Sequence, residues 1–130
     1  MKKIFLISIF YIFFFCSNSF AFLEFKQSKD ISSDTTEVRG INFKPDGTIM
    51  YITNRDPSNG NKAQVTQYSL STPFDISTAT KTSQTNLLHK NNLGVLFPHA
   101  IEFKPDGTKM FLASNNAQTS IYQYNLTTPW

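Results

Sequence analysis

A twelve-residue pattern occurs twice in this chain, and this repeat constrains the fold more than any other feature of the sequence. The segment "INFKPDGTIMYI" begins at Ile41, and "IEFKPDGTKMFL" begins at Ile101, 60 residues later. A second pair, "QYSLSTPF" from Gln67 and "QYNLTTPW" from Gln123, is separated by 56 residues. The difference of four residues falls in the polar segments between the two blocks. We therefore expect these segments to be surface loops.

Each copy of the repeat predicts short antiparallel strands. Ile41 and Phe43 alternate with polar residues, as do Ile101 and Phe103, and this is the period-two pattern of a strand. The Lys-Pro-Asp-Gly that follows is typical of a hairpin turn in which glycine takes the left-handed conformation. The next segments, "TIMYIT" and "TKMFLA", are nearly continuous in large residues. They predict a strand that is covered on both faces.

A third strand is predicted at "QVTQYSL" and "SIYQYNL", and a fourth at "TATKTSQTNLL". Four antiparallel strands in about 40–60 residues are the unit of a β-propeller blade. We therefore expect an all-β fold, a partial β-propeller of about two four-stranded antiparallel blades. The first blade covers residues 38–97, and the second blade, which is incomplete, covers residues 98–130. Residues 22–37 are predicted to contain an N-terminal closing strand and a loop.

The segments "FKPDGTKMF", "YQYNLTTPW" and "YSLSTPFDISTAT" resemble a family of bacterial β-propeller repeats. Those repeats read Phe-x-Pro-Asp-Gly-Thr-Lys-Met-Tyr and then Tyr-x-Leu-Ser-Thr-Pro-Trp-Asp, and YVTN-type and WD-like repeats are more distantly similar. The resemblance covers nearly all of residues 38–130 and implies a secreted or envelope-associated propeller. The Gly-His…Trp-Asp signature of WD repeats is absent, so the partners of that subfamily are not implied.

Two blades do not close a propeller, because closed rings take about four to eight. The second copy stops after "LTTP", where the first copy continues into "DISTAT". The break within a unit favours the interpretation that the chain is a fragment of a larger ring. The alternative is that several chains assemble a ring through their exposed blade faces.

Residues 1–21 predict a secretory signal peptide. A basic start precedes an uncharged apolar run, and the small residues Ser19 and Ala21 favour cleavage after Ala21. The mature chain would then be periplasmic or secreted. The alternative is an uncleaved N-terminal membrane anchor, because the uncharged residues between Lys3 and Glu24 are just long enough to span a bilayer.

Removal of this signal changes the charge balance of the chain. The sequence has 12 basic and 9 acidic residues, and loss of Lys2 and Lys3 leaves 10 basic residues against the 9 acidic ones. Such a balanced charge gives no indication of nucleic-acid binding. Cys16, the sole cysteine, also lies in the signal. The mature protein is therefore expected to have neither a disulfide nor a thiolate metal site.

Polar residues are expected to gather on one rim of the propeller. Arg39 and His99 are equivalent, because each stands two positions before the isoleucine of a predicted innermost strand. The loops between second and third strands share that side of the ring. We predict a ligand-binding rim formed by Arg39, Asn54, Arg55, His99, Asn115 and Asn116. The alternative is that these are ordinary solvated loop residues, as His89 is expected to be.

No catalytic site, metal site or cofactor is predicted. Two scattered histidines without a cysteine do not assemble a base beside a nucleophile, and Asp46 and Asp106 stand singly in turns rather than in an ion-binding loop. Aromatic residues recur at matched positions and are expected to pack between blades rather than to stack on sugars. They are Tyr68, Tyr122, Tyr124, Phe74 and Trp130.

The sequence therefore predicts an exported β-propeller repeat module that acts as a binding or scaffold platform. Its ligand would be a protein, a small molecule or a glycan, with no nucleic-acid partner and with membrane contact only through the signal segment. The alternative is a fragment of a propeller enzyme, of lactonase or hydrolase type, with its site at the mouth of the channel. Because propellers host both kinds of protein, the fold does not choose between them.

Overall fold

Nearly all the regular structure in the described part of the chain is β-sheet. The structure is a computed structural model that describes residues 23–60, 62–87, 97–115 and 119–130. Its strands form two antiparallel sheets, one with the order β1-β2-β3-β4 and one with the order β5-β6-β7. The strands of the described residues are β1 (Val38–Phe43), β2 (Ile49–Asp56), β3 (Lys62–Leu70), β4 (Ala79–Asn86), β5 (Pro98–Phe103), β6 (Lys109–Asn115) and β7 (Thr119–Asn125). The prediction of an all-β fold of antiparallel sheets is confirmed.

Two 3-10 helices of three residues, Pro57–Asn59 and Ile76–Thr78, lie in the connections of the first sheet. Each follows an aspartate, Asp56 or Asp75, whose carboxylate accepts a hydrogen bond from a serine backbone N–H two residues later, at 3.0 Å. A carboxylate in this position satisfies an N–H group that has no partner inside so short a helix. The helices therefore act as compact turns.

The Lys-Pro-Asp-Gly turn is held by the same hydrogen bonds in both copies. In the first copy the Gly47 N–H donates to the Lys44 carbonyl at 2.8 Å, and Asp46 accepts from the backbone N–H of Thr48 at 2.9 Å and from its hydroxyl at 2.6 Å. The Thr48 hydroxyl, and then Lys44, lower the pKa of Asp46 to about 2. The φ angle is 72° at both Gly47 and Gly107. The predicted left-handed turn glycines are thus confirmed.

An aromatic side chain from the end of each unit lies on the turn glycine. A Cβ atom added to Gly47 would lie 2.3 Å from the nearest ring atom of Phe74, and one added to Gly107 would lie 2.6 Å from Trp130. The Phe74 N–H donates to the Gly47 carbonyl at 3.0 Å, and Trp130 Nε1 donates to the Pro105 carbonyl at 3.1 Å. The two repeated blocks of each copy therefore meet in space, because the glycine leaves room that the aromatic ring occupies.

Adjacent large residues of β2 point to opposite faces of the first sheet, and both faces are buried. Met50 packs with Tyr68 on one side, which we call the methionine face, whereas Tyr51 lies on the other side, which we call the reverse face. In the second sheet the methionine face carries Met110 and the reverse face carries Phe111. The prediction of a strand covered on both faces is confirmed for β2, whereas in β6 buried and partly exposed residues alternate, because only one face of that strand is covered.

The two sheets pack through faces that are not equivalent. The reverse face of the first sheet lies against the methionine face of the second, where the ring centroid of Tyr51 is 4.4 Å from that of Phe103 and 5.9 Å from that of Trp130. Tyr122 and Tyr124 also pack in this interface, as the repeat predicts. Tyr68 instead packs in the cluster on the methionine face of the first sheet, and Phe74 is exposed. Aromatic pairs of this kind contribute about 0.5–1.5 kcal/mol beyond the burial of their area. The units therefore pack head to tail.

The segment before β1 covers part of the first sheet. Residues 23–37 belong to none of the ladders of the described residues, and the closing strand predicted within residues 22–37, which would complete a last blade, stays a prediction. Ile31 packs on the methionine face, and the Tyr68 hydroxyl donates to Asp34 Oδ2 at 3.0 Å. Burial, and then Asp34, raise the pKa of Tyr68. The methionine face of the first sheet thus supplies the apolar surface that Ile31 packs against.

The signal peptide predicted for residues 1–21 lies outside the described residues, as does Phe22. Within the ranges that the structure describes, no helix is long and apolar enough to cross a lipid bilayer. Cleavage after Ala21 and the alternative of a membrane anchor therefore stay predictions.

Replacement of Gly107 by alanine is expected to destabilise the fold more than replacement of Gly60. The φ angles are 72° and 66°, so both variants carry the strain of a left-handed alanine, about 1–2 kcal/mol. At Gly107 the new Cβ would also meet the Trp130 ring at 2.6 Å, whereas nothing lies within 4 Å of the same atom at Gly60. Urea unfolding should show an additional loss of about 1–3 kcal/mol for Gly107→Ala. Equal losses would mean that Trp130 does not constrain the turn.

Candidate functional site

The first strands of the two sheets lie side by side and form one joint edge. A Cβ atom added to Gly40 on β1 would lie 3.2 Å from Cα of Ala100 on β5. Asn42 Nδ2 donates to Glu102 Oε2 across the same junction at 2.9 Å. The sheets converge here. They diverge toward β3, β4 and β7, where a cleft of about 440 Å³ opens between them.

Arg39 and His99 are bulge residues of the joint edge. Val38 of β1 pairs with Asn54 of β2, and Gly40 pairs with the neighbouring Thr53. Arg39 is therefore the extra, unpaired residue of a β-bulge. The step from Pro98 to Ala100 makes His99 the extra residue of β5 in the same way. A bulge bends its strand and redirects the side chain that it carries. The equivalence of these two positions in the sequence thus corresponds to an equivalent backbone irregularity.

Glu37 binds both arginines of the predicted rim. Its carboxylate accepts from Arg39 Nη2 and, at 2.5 Å, from Arg55 Nε. The three side chains are between 24 and 29% exposed. The Arg55 guanidinium also lies over the Phe97 ring, 5.4 Å from its centroid, in the geometry of a cation–π contact. Glu37 was not among the predicted rim residues, although it stands two residues before Arg39, just ahead of β1.

Glu37 and Phe97 are equivalent positions with the same backbone role. The Arg55 N–H donates to the Glu37 carbonyl at 3.2 Å, and the Asn115 N–H donates to the Phe97 carbonyl at 3.1 Å. The backbone of the rim is therefore repeated, whereas its side chains are charged in the first unit and aromatic or neutral in the second.

Asn54 lies inside the first sheet rather than on the rim surface. It is 1% exposed. Its amide donates to Gln64 Oε1 at 2.7 Å and accepts from the Thr66 hydroxyl at 3.1 Å. Its hydrogen bonds connect β2 to β3 and so support the sheet from within.

The remaining predicted rim residues lie at the ends of strands. His99 is exposed on β5, and its carbonyl lies beside Gly40, next to Arg39. Asn115 is exposed at the end of β6, where it pairs with Thr119. Asn116 and His89 lie outside the described residues. The structure thus brings Arg39, Arg55, His99 and Asn115 to one end of the sheets.

A polar depression of about 280 Å³ lies beside Arg55. One wall is the turn that precedes β1, which contributes four hydroxyl side chains between Ser32 and Thr36. The other wall carries the amides of Gln64 and Gln84, which are joined by a hydrogen bond from Gln84 Nε2 to Gln64 Oε1 at 2.7 Å. Hydroxyl and amide groups both donate and accept hydrogen bonds. This depression can therefore bind a neutral, polar ligand.

The larger cleft between the sheets is mostly apolar. It is lined by Tyr51, Phe103 and Met110 together with Tyr124 of β7. The Tyr124 hydroxyl is buried and has no hydrogen-bond partner among the described residues. Burial, and then Tyr122, raise the pKa of Tyr124 to about 12.

No group of three or more His, Cys, Asp or Glu side chains that could hold a metal ion comes together within the described parts of the chain. Asp46 and Asp106, the carboxylates of the repeated turn, are each hydrogen-bonded to the threonine that follows the turn glycine, Thr48 and Thr108. These carboxylates therefore act in turn formation.

Comparison of the chain with protein-family models, with curated proteins and with solved structures found no match. The likeness of "FKPDGTKMF" and "YQYNLTTPW" to propeller repeats therefore depends on the motifs themselves.

Replacement of Glu37 by glutamine is expected to lower the free energy of unfolding by about 1 kcal/mol, because two partly buried arginines lose their counter-charge. Glu24→Gln is the matched control, since Glu24 pairs with Lys26 through side chains that are 73 and 74% exposed. The control should change stability by a few tenths of a kcal/mol at most. Urea unfolding at low and high salt measures both. A Glu37 variant as stable as the control would show that the bridge adds nothing to the fold.

The free energy of unfolding is expected to fall as the pH rises from about 10 toward 12. The folded chain keeps Tyr124 protonated up to a pKa of about 12, against an ordinary value of 10.0, so the unfolded chain loses its proton first. This contribution is complete below pH 10 and is lost at higher pH. Tyr124→Phe should flatten the alkaline slope with little cost at neutral pH. Tyr68→Phe, which loses the bond to Asp34, should cost about 1 kcal/mol at neutral pH. An unchanged slope in Tyr124→Phe would contradict this account.

Proposed function

We propose that this chain is part of an exported, β-propeller-type binding module, and that its ligand is a polar, hydroxyl-bearing molecule such as an oligosaccharide. The observation that carries the proposal is the depression beside Arg55, with its hydroxyl wall and its pair of bridged amides. The depression lies next to the joint edge of the two sheets, because Arg55, which lines it, is paired with Glu37, the residue before β1.

The propeller part of the proposal is supported by how the two sheets meet. Sheets in a radial fan converge at their first strands, diverge at their last strands, and present opposite faces to their two neighbours. Here β1 and β5 approach through Gly40 and Ala100, and the cleft opens beside β3, β4 and β7. The head-to-tail packing through Tyr51 and Met110 fits the same arrangement. Export is supported by the signal pattern of residues 1–21.

The ligand class follows from the chemistry of the depression. Its walls contain many neutral groups that both donate and accept hydrogen bonds, which is what a saccharide hydroxyl requires. The charges beside it are largely balanced, because Arg55 is paired with Glu37 and Asp34 with Lys81, at 3.7 Å. Asp56, which also lines the depression, accepts a hydrogen bond from the Gln64 amide at 3.2 Å. A balanced site of this kind favours a neutral ligand over a strongly charged one.

Binding is tested with the full chain and a defined set of neutral oligosaccharides, followed by saturation-transfer NMR. Ser33→Arg is the test variant, because Ser33 is exposed and lines the depression, so that a long side chain would fill it without disturbing the core. Thr82→Arg is the matched control, since Thr82 is exposed on β4 and does not line the depression.

At least one oligosaccharide should bind the unmodified chain, and Ser33→Arg should weaken that binding about tenfold or more, because the side chain occupies the site. Thr82→Arg should bind as the unmodified chain does. Binding that survives Ser33→Arg, or no binding by any member of the set at millimolar concentration, would contradict the proposed function.

A further inference from the structure

Two apolar side chains of β1, on the methionine face of the first sheet, are exposed, although their equivalents in the second sheet are buried. Ile41 is 54% exposed and Ile101 4%, whereas Val38 is 49% exposed and Pro98 less than 2%. The backbone around each pair is the same, because both strands carry the same bulge and pair with an equivalent second strand. The difference therefore lies in what covers them. The second unit has the reverse face of the first sheet against it.

The aromatic residue at the end of each unit shows the same difference. Trp130 lies on Gly107 and also reaches the neighbouring sheet, where it contacts Tyr51. Phe74 lies on Gly47 in the same way but is 58% exposed. Phe74 of the first unit therefore occupies the position that Trp130 has in the second unit, where Trp130 contacts the adjacent sheet.

The opposite end of the molecule has the surface that would receive such a side chain. On the reverse face of the second sheet, Phe111 takes the place that Tyr51 has in the first sheet. Ile121 takes the place of Val65, which packs in the inter-sheet core, yet Ile121 is 79% exposed. The two end surfaces thus correspond to the two halves of the interface that already joins the sheets, except that the part of the methionine face around Met50 and Tyr68 is already covered.

From this correspondence we propose that a second copy of this chain docks head to tail on the reverse face of the second sheet. The second copy contributes Val38, Ile41 and Phe74 from its methionine face, and Phe74 contacts Phe111 as Trp130 contacts Tyr51. The interface continues the one inside the chain, and it does not depend on the ligand proposed for the depression. Contacts between non-equivalent surfaces close into a ring or extend as a filament. A ring of four to eight sheets would need about two to four copies.

The N-terminal segment leaves this docking surface open. Ile31 and Asp34 lie over the part of the methionine face that includes Tyr68 of β3. Val38 and Ile41 of β1 stay exposed beside it. The surface available to a second copy is therefore the part next to the joint edge, where the two sheets inside the chain approach most closely.

Cross-linking in whole cells tests the proposal with the full chain. Inside the chain Asn42 and Glu102 meet at 2.9 Å, so the proposed interface brings Asn42 of one copy to Glu102 of another. Two copies with different epitope tags, one carrying Asn42→Cys and the other Glu102→Cys, are expressed together and treated with a short, membrane-permeant bismaleimide. Cys16→Ser is present in both, so that the natural cysteine does not react.

Three controls calibrate the result. A single chain with both Asn42→Cys and Glu102→Cys should cross-link internally, which shows that the variants fold and that the reagent spans the junction. Two copies that both carry Asn42→Cys, or both Glu102→Cys, should not cross-link, because head-to-tail docking does not bring equivalent positions together. Thr82→Cys, exposed on β4, measures chance collisions.

The expected result is a cross-linked species that carries both tags, at a yield well above the Thr82→Cys background. Ile121→Glu, added to the chain that carries Glu102→Cys, should reduce that yield about tenfold, because a charge replaces an apolar side chain in the interface. Thr80→Glu, an exposed change on β4, should leave it unchanged. A yield no higher than background, equal yields from equivalent positions, or an unchanged yield with Ile121→Glu would overturn the proposal.

Discussion

Each sheet of this repeat is apolar on both faces, and the rest of the structure depends on that constraint. Met50 and Tyr51 are neighbours in β2, so they point in opposite directions, and both are buried. A sheet with two such faces needs a neighbour on each side, because exposed apolar area costs about 25 cal/mol per Å². The packing of Tyr51 against Phe103 and Trp130 satisfies one face of each sheet. Each sheet then has one face left without a neighbouring sheet. On the first sheet, Ile31 of the N-terminal segment covers part of that face.

The aromatic residue on the turn glycine explains why two separate blocks of sequence recur together. Gly107 and Trp130 are far apart along the chain, but their contact joins the first hairpin of a unit to the end of its third strand. The loop between the blocks differs in length by four residues without disturbing this contact. Trp130 then also contacts Tyr51 of the neighbouring sheet. A single side chain thus closes its own unit and attaches that unit to the one before it.

Sequence patterns predicted the features that depend on local order. The alternation at Ile41 and Phe43 predicted β1, and Gly47 predicted the left-handed turn, because both depend on near neighbours along the chain. The burial of Asn54 was not predictable in this way. Its position after a hydrophobic strand resembles that of a loop residue, and its role depends on Gln64 and Thr66 of the next strand.

The N-terminal segment and the charges of the rim show the same limit. The apolar pattern near Ile31 suits a strand or a covering segment equally well, and the choice depends on which surface is available. Arg39 and Arg55 were predicted as residues open to a ligand, but their state depends on Glu37, whose carboxylate holds both. The state of the rim therefore depends on side-chain pairs between residues that are separate along the chain, which sequence patterns do not reveal.

The rim illustrates how a repeated backbone can carry different chemistry. Glu37, Arg39 and Arg55 occupy the positions that Phe97, His99 and Asn115 occupy one unit later, as the two equivalent backbone hydrogen bonds show. The sets are also complementary, because Arg55 of the first unit lies over Phe97 of the second. The bulges and ladders cannot vary without loss of the fold, whereas these side chains can. Differences in recognition between units would therefore reside in these positions, while the shared faces keep the units together.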